Sequence, residues 1–466
     1  MRIAICSSEV VPFAKTGGLA DVAGALPLAL ENLNQEVMVV MPKYSCVNNS
    51  GILIKQLKPG FSYATMGKNV KVYFIENDKY FNRSGLYGEK TGDYPDNLPR
   101  FSFYCTKTLE LLKDIDFCPD IIHCNDWQTA LISVYLKTHC KNDAFFKKTK
   151  TLFTIHNLAY QGLFPKEQFS ILKLDESHFS INGLEFYEKV NLLKAGILFS
   201  DYISTVSQGY AQEILTKEFG CGLEGVLATR KNTLAGIING LDYSIWNPQT
   251  DKYIFKNFDA KDLSGKKTNK KELQKICGLA IKEDIPLLGF VGRLAEQKGV
   301  DLLSKLIKKI KDVGIQAIFL GTGEQKYHDI LEGVAKKVPN LFSLNLKFDD
   351  VLAHRIYAGC DLFLMPSRYE PCGLGQMISF KYGTMPIVFK TGGLADTVFN
   401  FNKNTKEGNG FVFSSYKVLE FLNTVNNAKS LYSDKRAWNA LIKKVMKFNF
   451  SWEESARKYV DLYKKI

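Results

Sequence analysis

The chain has 466 residues, a formal net charge of +13, and 45% hydrophobic against 23% charged residues. This length exceeds what one hydrophobic core supports, so we expect two globular domains. No apolar run approaches the ~20 residues needed to span a bilayer, and the first residues resemble a strand instead of a leader. We therefore expect a cytoplasmic protein without a membrane partner, whose ten cysteines are reduced.

The 61 lysines and arginines are scattered through the chain and do not form a basic stripe with interleaved aromatic residues. Short clusters, such as Lys147-Lys148 and Lys266-Lys267, favour a solvated lysine-rich surface over binding of a nucleic acid. The positive excess would still raise the local concentration of an anionic substrate. Cysteine and histidine are not clustered as a zinc site requires, so no metal is expected.

The N-terminal half alternates short apolar runs with longer helical patterns. An Ala/Leu-rich helix begins near Gly18, after the first strand and a Gly-rich turn. The predicted strands span residues 3–6, 36–41, 70–75, 121–123, 152–155, 203–206 and 235–238. This alternation predicts an α/β fold in which helices cover both faces of a parallel sheet.

A polar, lysine-rich stretch from Trp246 to Lys271 is predicted to be the seam between the two domains. A second series of strands follows at residues 287–291, 317–320, 341–346, 362–365 and 386–389. Near the C-terminus, Ser451 begins a Ser-Trp-Glu-Glu sequence that resembles a capping box. It predicts an amphipathic helix that runs to the end of the chain.

One sequence, Lys-Thr-Gly-Gly-Leu-Ala-Asp, occurs at residues 15–21 and again at residues 390–396. Glycines between a strand and a helix N-terminus can expose backbone N–H groups to a phosphate, and Lys15 adds a positive charge. A tight turn would explain one copy equally well, whereas two copies favour anion binding. We expect the copies to occupy the same station in two similar α/β lobes that face one cleft.

Two familiar nucleotide signatures are missing from the sequence. Neither copy of the repeat is G-x-G-x-x-G, and no G-x-x-x-x-G-K-[ST] occurs. A dinucleotide-dependent dehydrogenase and a P-loop NTPase are therefore not supported.

Charged residues follow two strands of the second series. Arg293 and Lys298 come after the strand at residues 287–291, at the end of an open α/β sheet where ligands bind. Two cations there could offset the charge that builds on a departing diphosphate. The alternative for Arg293 is a surface ion pair with Glu296. Glu370 follows the strand at residues 362–365; it could bind sugar hydroxyls or simply be solvated.

Two polar segments follow strands in the first half. Residues 153–162 include His156, Asn157, Tyr160 and Gln161, and residues 123–128 include Asp126. Amides, imidazole, carboxylate and aromatic rings suit a polyhydroxylated sugar, although either segment could be a buried polar network. Residues 114–116 match the D-x-D pattern of some metal-binding transferases, but we interpret them as a turn between a helix and a strand.

Taken in order, these motifs closely resemble the family of bacterial glycogen synthases and plant starch synthases. Each motif is weak alone, whereas the ordered series is specific and covers nearly the whole chain. The matching segments are residues 15–21, 153–162, 236–242, 292–299, 353–359, 366–374 and 391–397. The resemblance implies the GT-B fold, in which two Rossmann-like, doubly wound α/β lobes enclose an interdomain cleft.

The resemblance also implies the division of labour between the lobes. Residues 1–245 would form the acceptor side, onto which the helix at residues 450–466 crosses back, and residues 246–449 would bind the nucleotide sugar. The implied reaction transfers glucose from ADP-glucose to an α-1,4-glucan with retention of configuration. These two substrates are the expected partners, and no cofactor is expected.

Individual roles are likewise implied by the resemblance. Arg293 and Lys298 would stabilise the leaving phosphate, Glu370 and His156 would bind the glucose, and Asp126 would lie near the reacting face. Phe348 stands where the family often has an aromatic residue near the adenine. The implied substrate-binding residues are Lys15, Gly18, Asp21, Asn157, Tyr160, Gln161, Asn239, Phe348, Cys372, Gly373, Leu374, Thr391, Gly392 and Gly393.

No residue is an obvious covalent nucleophile, so the resemblance implies attack on the same face through an oxocarbenium-like transition state. Many related retaining transferases carry a second acid eight positions after the first, where this chain has Ile378. Two alternatives stay open. One is a related transferase that uses UDP-glucose or builds another glucoside, and the other is a catalytically silent glucan-binding protein.

Overall fold

The computed structural model describes residues 1–89 and 92–466, which divide into two compact units. Unit 1 comprises Met1–Gly240 together with Trp452–Ile466, and unit 2 comprises Leu241–Ser451. Both units are α/β, because apolar strand sequences alternate with amphipathic helices in each.

Unit 1 is built around a mixed sheet. Its strands are β1 Arg2–Cys6, β2 Glu36–Pro42, β3 Lys55–Lys58, β4 Phe61–Met66, β5 Val70–Ile75, β6 Gly88–Glu89, β7 Gly92–Asp93, β8 Ile121–Asn125, β9 Lys150–Ile155, β10 Leu163–Pro165, β11 Glu185–Phe186, β12 Lys189–Asn191, β13 Tyr202–Thr205 and β14 Leu234–Gly236. Its first helices are α1 Gly18–Asn32, α2 Asp78–Phe81, α3 Asn97–Asp114, α4 Ala130–Lys137, α5 Leu192–Phe199, α6 Gln208–Glu213 and α7 Glu224–Thr229.

The main sheet of unit 1 has the order β14-β13-β9-β8-β1-β2-β5-β4-β3. From β14 to β5 the strands are parallel, as predicted, whereas β4 and β3 pair antiparallel at one edge. The sequence analysis missed this hairpin because polar residues interrupt it: β3 reads Lys-Gln-Leu-Lys, and Ser62 and Thr65 interrupt β4. An edge strand needs only one apolar face, so it carries a weaker signal.

Unit 2 is built around a parallel sheet. Its strands are β15 Leu287–Val291, β16 Gln316–Leu320, β17 Phe342–Asn345, β18 Leu362–Met365, β19 Met385–Phe389 and β20 Phe411–Phe413. Its helices are α8 Ser264–Ile276, α9 Val300–Lys308, α10 Ile310–Val313, α11 Gln325–Ala335, α12 Asp350–Gly359, α13 Gly375–Lys381, α14 Gly392–Thr397, α15 Val418–Ser433 and α16 Lys435–Val445. The sheet order is β17-β16-β15-β18-β19-β20, and the three-residue strand β20 was not predicted.

The last helix, α17 Trp452–Tyr463, belongs to unit 1. It packs against α1, and the Tyr463 hydroxyl lies 2.8 Å from Nδ1 of His123 in β8. Nε2 of the same imidazole lies 2.6 Å from the Thr154 hydroxyl. Burial lowers the pKa of His123 to about 3, so this histidine is a neutral brace inside the sheet and not a sugar ligand.

Both sheets have their first strand in the middle, with the next parallel strands on one side and the later ones on the other. The order reverses between β1 and β8 in unit 1, and between β15 and β18 in unit 2. In open α/β sheets, ligands bind outside the carboxyl ends of the strands at this switch point. The topology therefore marks one candidate position in each unit.

The expectation that the repeated sequence occupies the same station in both units is wrong. The first copy follows β1, the first strand of its unit, whereas the second copy follows β19, the fifth strand of unit 2. The identity of seven residues therefore does not reflect equivalent positions in the two sheets.

The lysine-rich stretch before β15 does not lie wholly on a solvated surface, which the sequence analysis favoured for the cluster Lys266-Lys267. Lys266 and Lys270 lie on the buried face of α8. The Lys266 ammonium donates to the carbonyls of Ala358 and Cys360, and also to the Tyr382 carbonyl and the Thr384 hydroxyl, at 2.8–3.3 Å. A buried ammonium is tolerated when acceptors replace its water, so this lysine ties α8 to the unit 2 core.

Two general features bear on the expected environment of the chain. All ten cysteines lie within the described residues and are free. Among the helices of residues 1–89 and 92–466, none is long and apolar enough to cross a membrane.

Candidate active site

Two loops of unit 2 meet at its switch point, one after β15 and one after β18. Lys298 from the first loop and Glu370 from the second form an ion pair in which Nζ lies 2.6 Å from Oε2. The Ser367 hydroxyl donates to the same carboxylate oxygen at 3.0 Å. Glu370 is buried, with 8% of its surface exposed, so it is a fixed carboxylate and not a solvated loop residue. The structure thus joins two predicted residues that lie far apart in sequence.

Close backbone contacts hold these two loops together. Gly299 has φ 73°, and a Cβ at this position would lie 2.0 Å from the Pro366 carbonyl oxygen. The Arg368 N–H donates to the Gln297 carbonyl at 2.8 Å. Only glycine permits both this conformation and this approach, so Gly299 fixes where the neighbouring Lys298 stands.

Arg293 lies in the same β15 loop and is exposed. Its Nη2 donates to Oε1 of Gln297 at 3.1 Å, instead of forming the ion pair with Glu296 that was the alternative. Glu296 lies 3.5 Å from Arg368, which also binds Asp301 at 2.9 Å. Arg293 therefore keeps an exposed guanidinium that can bind an anion, and its hydrogen bond goes to the neutral amide of Gln297.

A third loop, after β19, closes against the β18 loop. The Gly393 N–H donates to the Glu370 carbonyl at 3.1 Å, and a Cβ on Gly393 would lie 2.0 Å from the Cys372 carbonyl oxygen. Thr391, Gly392, Gly393 and Cys372 are buried, whereas Leu374 is half-buried and Gly373 has φ 70°. All six of these predicted residues lie in the two loops that meet at Glu370.

Phe348 is placed apart from this cluster. It lies between the edge strand β17 and helix α12, with 85% of its surface exposed. Its role stays a prediction.

In unit 1 the switch-point residue is Asp126, which follows β8. Its backbone has φ 56° and ψ 178°, a region that residues with a Cβ rarely adopt. The carboxylate Oδ1 accepts the His156 N–H at 2.8 Å. Burial raises the pKa of Asp126 to about 7; this N–H bond opposes the rise and the nearby Glu9 carboxylate reinforces it. Strain and a shifted pKa together favour a functional role for this residue.

His156 follows β9, the strand next to β8. Its Nε2 lies 2.9 Å from Oδ1 of Asn125, whose amide nitrogen donates to the Cys6 carbonyl at 3.0 Å. Because an amide oxygen only accepts, Nε2 carries the proton and Nδ1 is left as an acceptor. Burial lowers the pKa of His156 to about 3, so the ring stays neutral. A neutral acceptor suits a sugar hydroxyl.

The loop after β1 holds a residue that the sequence analysis missed. Glu9 is buried, and its carboxylate accepts the Thr16 hydroxyl at 2.6 Å, the Gly17 N–H at 3.2 Å and the Thr16 N–H. The Tyr87 hydroxyl donates to it at 2.6 Å. Two of the N–H groups that we expected to face phosphate are thus taken by the protein's own carboxylate. The only sequence signal was an acidic residue near the end of an apolar strand.

Lys15 and Gly18 remain open to a ligand. Lys15 pairs with Asp21 at 2.7 Å, with 53% of the lysine side chain exposed. A Cβ built at Gly17 or Gly18 would meet no atom within 4 Å, so packing does not require glycine at either position. The space beside the N-terminus of α1 is therefore empty of protein and available to an anion.

The other predicted residues of unit 1 differ in their surroundings. Asn157 accepts the Ala159 N–H at 3.1 Å, and Tyr160 is 57% exposed. Both ends of the Gln161 amide are used internally, since Nε2 donates to the Cys221 carbonyl and Oε1 accepts from Asn191. Gln161 therefore braces the loop and does not reach out to a ligand.

Asn239, just after β14, is 7% exposed, and within the described residues its Oδ1 has no hydrogen-bond partner. A buried orphan acceptor is costly, so a ligand or water is expected to satisfy it.

The D-x-D segment forms a turn in the structure. Asp116 has φ 51°, and Asp114 pairs with Lys58 on β3. Across residues 1–89 and 92–466, no group of three or more His, Cys, Asp or Glu side chains is placed to hold a metal ion.

The chain was compared with known protein families and structures. The sequence model of the starch synthase catalytic domain matches residues 2–229, and that of the group 1 glycosyl transferases matches residues 273–445. The glycogen synthase of Geotalea daltonii is 50% identical over 100% of this chain and 99% of its own length. That of Alkaliphilus metalliredigens is 46% identical, with 100% of both chains covered.

Among solved structures, the catalytic domain of starch synthase IV from Arabidopsis thaliana, bound to ADP and acarbose, superposes with a TM-score of 0.89. It is 35% identical and covers 100% of this chain and 98% of its own. Sucrose-phosphate synthase from Thermosynechococcus elongatus shares the fold, with a TM-score of 0.64 at 16% identity over 100% and 98% of the two chains. The chain therefore belongs to the glycogen synthase and starch synthase family of GT-B glycosyltransferases.

Proposed function

We propose that this enzyme transfers glucose from ADP-glucose to the non-reducing end of an α-1,4-glucan, with retention of configuration and release of ADP. The observation that carries the proposal is the cluster of Arg293, Lys298 and Glu370 at the switch point of the unit 2 sheet. It provides two cations for a diphosphate next to a fixed carboxylate for a sugar. The related starch synthase IV bound to ADP and acarbose supports an adenine nucleotide and a glucan.

The proposed bond cleavage places negative charge on the leaving diphosphate. Arg293 would donate through its planar fork, and Lys298 would add a compact charge whose position Glu370 fixes. Such preorganised cations stabilise the transition state because they need no reorientation as the charge develops. The Thr391–Gly393 segment would line the phosphate side of the same cluster, with Cys372, Gly373 and Leu374 beside it.

Positive charge develops on the anomeric carbon as the glucose leaves. We propose that the acceptor hydroxyl attacks from the face that the diphosphate vacates, and that its proton passes to the leaving phosphate. The neutral Nδ1 of His156 would accept a glucose hydroxyl, and Asp126, whose pKa is about 7, would lie near the reacting face. Lys15 and Gly18 would contact the diphosphate, with Asp21 orienting Lys15. Asn157, Tyr160 and Asn239 would bind sugar, whereas Gln161 would act through the loop.

Free cysteines support a reducing compartment, so we also propose a cytoplasmic location.

The test compares ADP-glucose and UDP-glucose as donors for elongation of glycogen by the purified chain, with the anomeric configuration of the product determined. The proposal predicts faster incorporation from ADP-glucose and an α-linked product. Equal or inverted donor preference would overturn the ADP assignment. Glycogen binding without nucleotide release would instead support the silent glucan-binding alternative.

A further inference from the structure

A strained hairpin in unit 1 presents an aromatic residue to solvent. Strands β11 and β12 are joined by Tyr187 and Glu188, whose φ angles are 49° and 59°. A two-residue turn of this kind requires positive φ at both positions and normally uses Asn-Gly, because a Cβ is unfavourable there. Tyr187 is nevertheless 79% exposed. Burial therefore does not explain a tyrosine at this position, and such a backbone outlier points to a function.

The sheet that carries this hairpin has one buried and one less buried face. In the order β10-β12-β11, Phe164 and Val190 are cross-strand partners on the buried face. Neighbouring positions point the other way, so Leu163, which is 45% exposed, and the half-buried Phe186 lie on the less buried face. The Phe186 and Tyr187 rings meet edge to face at 4.7 Å. We call the set Leu163, Phe186 and Tyr187 the hairpin face.

The hairpin face is continuous with the loop that follows His156. Gly162 lies against Trp127, the residue after Asp126, so closely that a Cβ would approach its ring to 2.6 Å. Gln161 donates to the Cys221 carbonyl at 3.0 Å, and a Cβ on Gly222 would lie 3.0 Å from the Phe186 ring. These contacts form a packed path from the candidate site of unit 1 to the hairpin.

The charges near the tip do not select an ionic partner. Glu185 and Glu188 stand beside Lys189, so neither sign dominates. The exposed group at the tip is the Tyr187 side chain, whose ring and phenolic hydroxyl offer an apolar face and a polar edge together. A neutral polymer of sugar rings matches this combination, because its rings have apolar faces rimmed by hydroxyls.

We propose that the hairpin face binds the part of an α-glucan acceptor that lies behind the reacting end, with a glucose ring stacked on Tyr187. The inference rests on the proposed function and extends its acceptor site to residues that the sequence motifs do not include. Its consequence is a preference for long acceptors over short ones, since only a long chain reaches the tip.

The first test measures KM for glycogen, for a series of maltodextrins and for maltotriose in Tyr187→Ala and Tyr187→Trp. We expect Tyr187→Ala to raise KM for glycogen roughly fivefold or more, with a smaller effect as the acceptor shortens and no change in KM for ADP-glucose. Tyr187→Trp keeps a ring and should retain affinity. Leu419→Ala, which removes a side chain that is 72% exposed in unit 2, is the matched control.

The second test separates binding from folding. The double variant Tyr187→Asn, Glu188→Gly restores the residues that the turn prefers, so we expect Tm to rise by roughly 2–4 °C while glycogen affinity falls. The inference would be overturned if KM for glycogen were unchanged in Tyr187→Ala and in the double variant. It would also be overturned if affinity for glycogen and for maltotriose fell equally. Failure of the wild-type chain to elongate any glucan would contradict the proposed function itself, which is a different result.

Discussion

In unit 1 the first four residues of the sequence Lys-Thr-Gly-Gly-Leu-Ala-Asp are exposed, whereas in unit 2 residues 391–394 of the same sequence are buried and Lys390 is exposed. Gly17 and Gly18 have empty space where a side chain would be, and Lys15 is half exposed. Gly393, in contrast, leaves only 2.0 Å between its would-be Cβ and the Cys372 carbonyl oxygen. Glycine thus makes room for a ligand in one unit and for the backbone of a neighbouring loop in the other.

The role of a glycine in this sequence is therefore decided by the residues around it, and not by the motif. The cations of the two units also differ in how they are held. Arg293 and Lys298 are held by Gln297 and Glu370, whereas Lys15 rests on the exposed carboxylate of Asp21. We therefore expect unit 2 to carry most of the charge stabilisation and unit 1 to contribute less.

The largest expected effect comes from Arg293→Ala. Loss of the Arg293 guanidinium should lower kcat by roughly 10²–10³-fold. Because Arg293 is exposed and its hydrogen bond goes to the neutral amide of Gln297, Tm should stay unchanged. Steady-state release of ADP and thermal unfolding measure the two quantities. Arg457→Ala, which removes an arginine that is 63% exposed on α17, controls for the loss of a surface charge. A kcat near that of the wild type would remove the proposed role of Arg293.

The next largest effect contrasts two glycines of the repeat. Gly393→Ala forces a methyl group into the Cys372 carbonyl and should lower the free energy of unfolding by roughly 3 kcal/mol. Gly17→Ala meets no atom within 4 Å at an extended φ of −152°, so the free energy of unfolding should fall only by the ~1 kcal/mol that alanine costs at a helix N-cap, while KM for ADP-glucose rises. Urea unfolding of both variants checks the contrast. Equal destabilisation would show that the first copy is packed after all.

Lys15→Ala should have a smaller effect than the two variants of unit 2, Arg293→Ala and Gly393→Ala. A partly solvated lysine near a diphosphate contributes about 1.4 kcal/mol, so we expect a roughly tenfold rise in KM for ADP-glucose. Lys15→Arg should recover part of the loss. A loss as large as that of Arg293→Ala would reverse the ranking of the two units.

The last expected effect is a pH-dependent stability change at Asp126. Its pKa rises from about 3.9 in the unfolded chain to about 7 in the folded protein, so folding keeps a proton that the unfolded chain releases. The penalty on folding therefore grows as pH rises from ~4 to ~7 and is complete above ~7. Asp126→Asn, which cannot ionise, should raise Tm by roughly 2–4 °C at pH 8 and by less at pH 5.

Asp116→Asn provides a matched control for this pH dependence. Asp116 also has positive φ, at 51°, but is exposed. We expect its variant to show no difference between pH 5 and pH 8. A Tm increase for Asp126→Asn that is the same at both pH values would mean that backbone strain, and not the carboxylate's ionisation, is relieved.

The sequence was a good guide wherever a strand is buried on both faces. Residues 287–291 and 362–365 were predicted with the bounds that the structure has, because these strands are continuous apolar runs. The β3–β4 hairpin was missed because its exposed face is polar. Lys266 was misread because it donates to the carbonyls of Ala358, Cys360 and Tyr382. These acceptors are distant in sequence, so composition cannot show them.

The candidate site was predictable where residue type alone decides the chemistry, and not where contact decides it. Arg293, Lys298 and Glu370 were selected from their places after apolar strands, and the Lys298–Glu370 contact came from the structure. Gln161 looked like a ligand residue, but Cys221 and Asn191 occupy its amide. Glu9 escaped attention because its role depends on how the loop after β1 folds back on it.

The proposed mechanism depends on where the diphosphate of the donor binds. A crystal structure of the chain with ADP would show this position. We expect phosphate oxygens within hydrogen-bonding distance of the Arg293 guanidinium and the Lys298 ammonium, with the Gly393 loop beside them. A diphosphate bound elsewhere, with both of these side chains left in solvent or in their present pairs, would contradict the proposed mechanism.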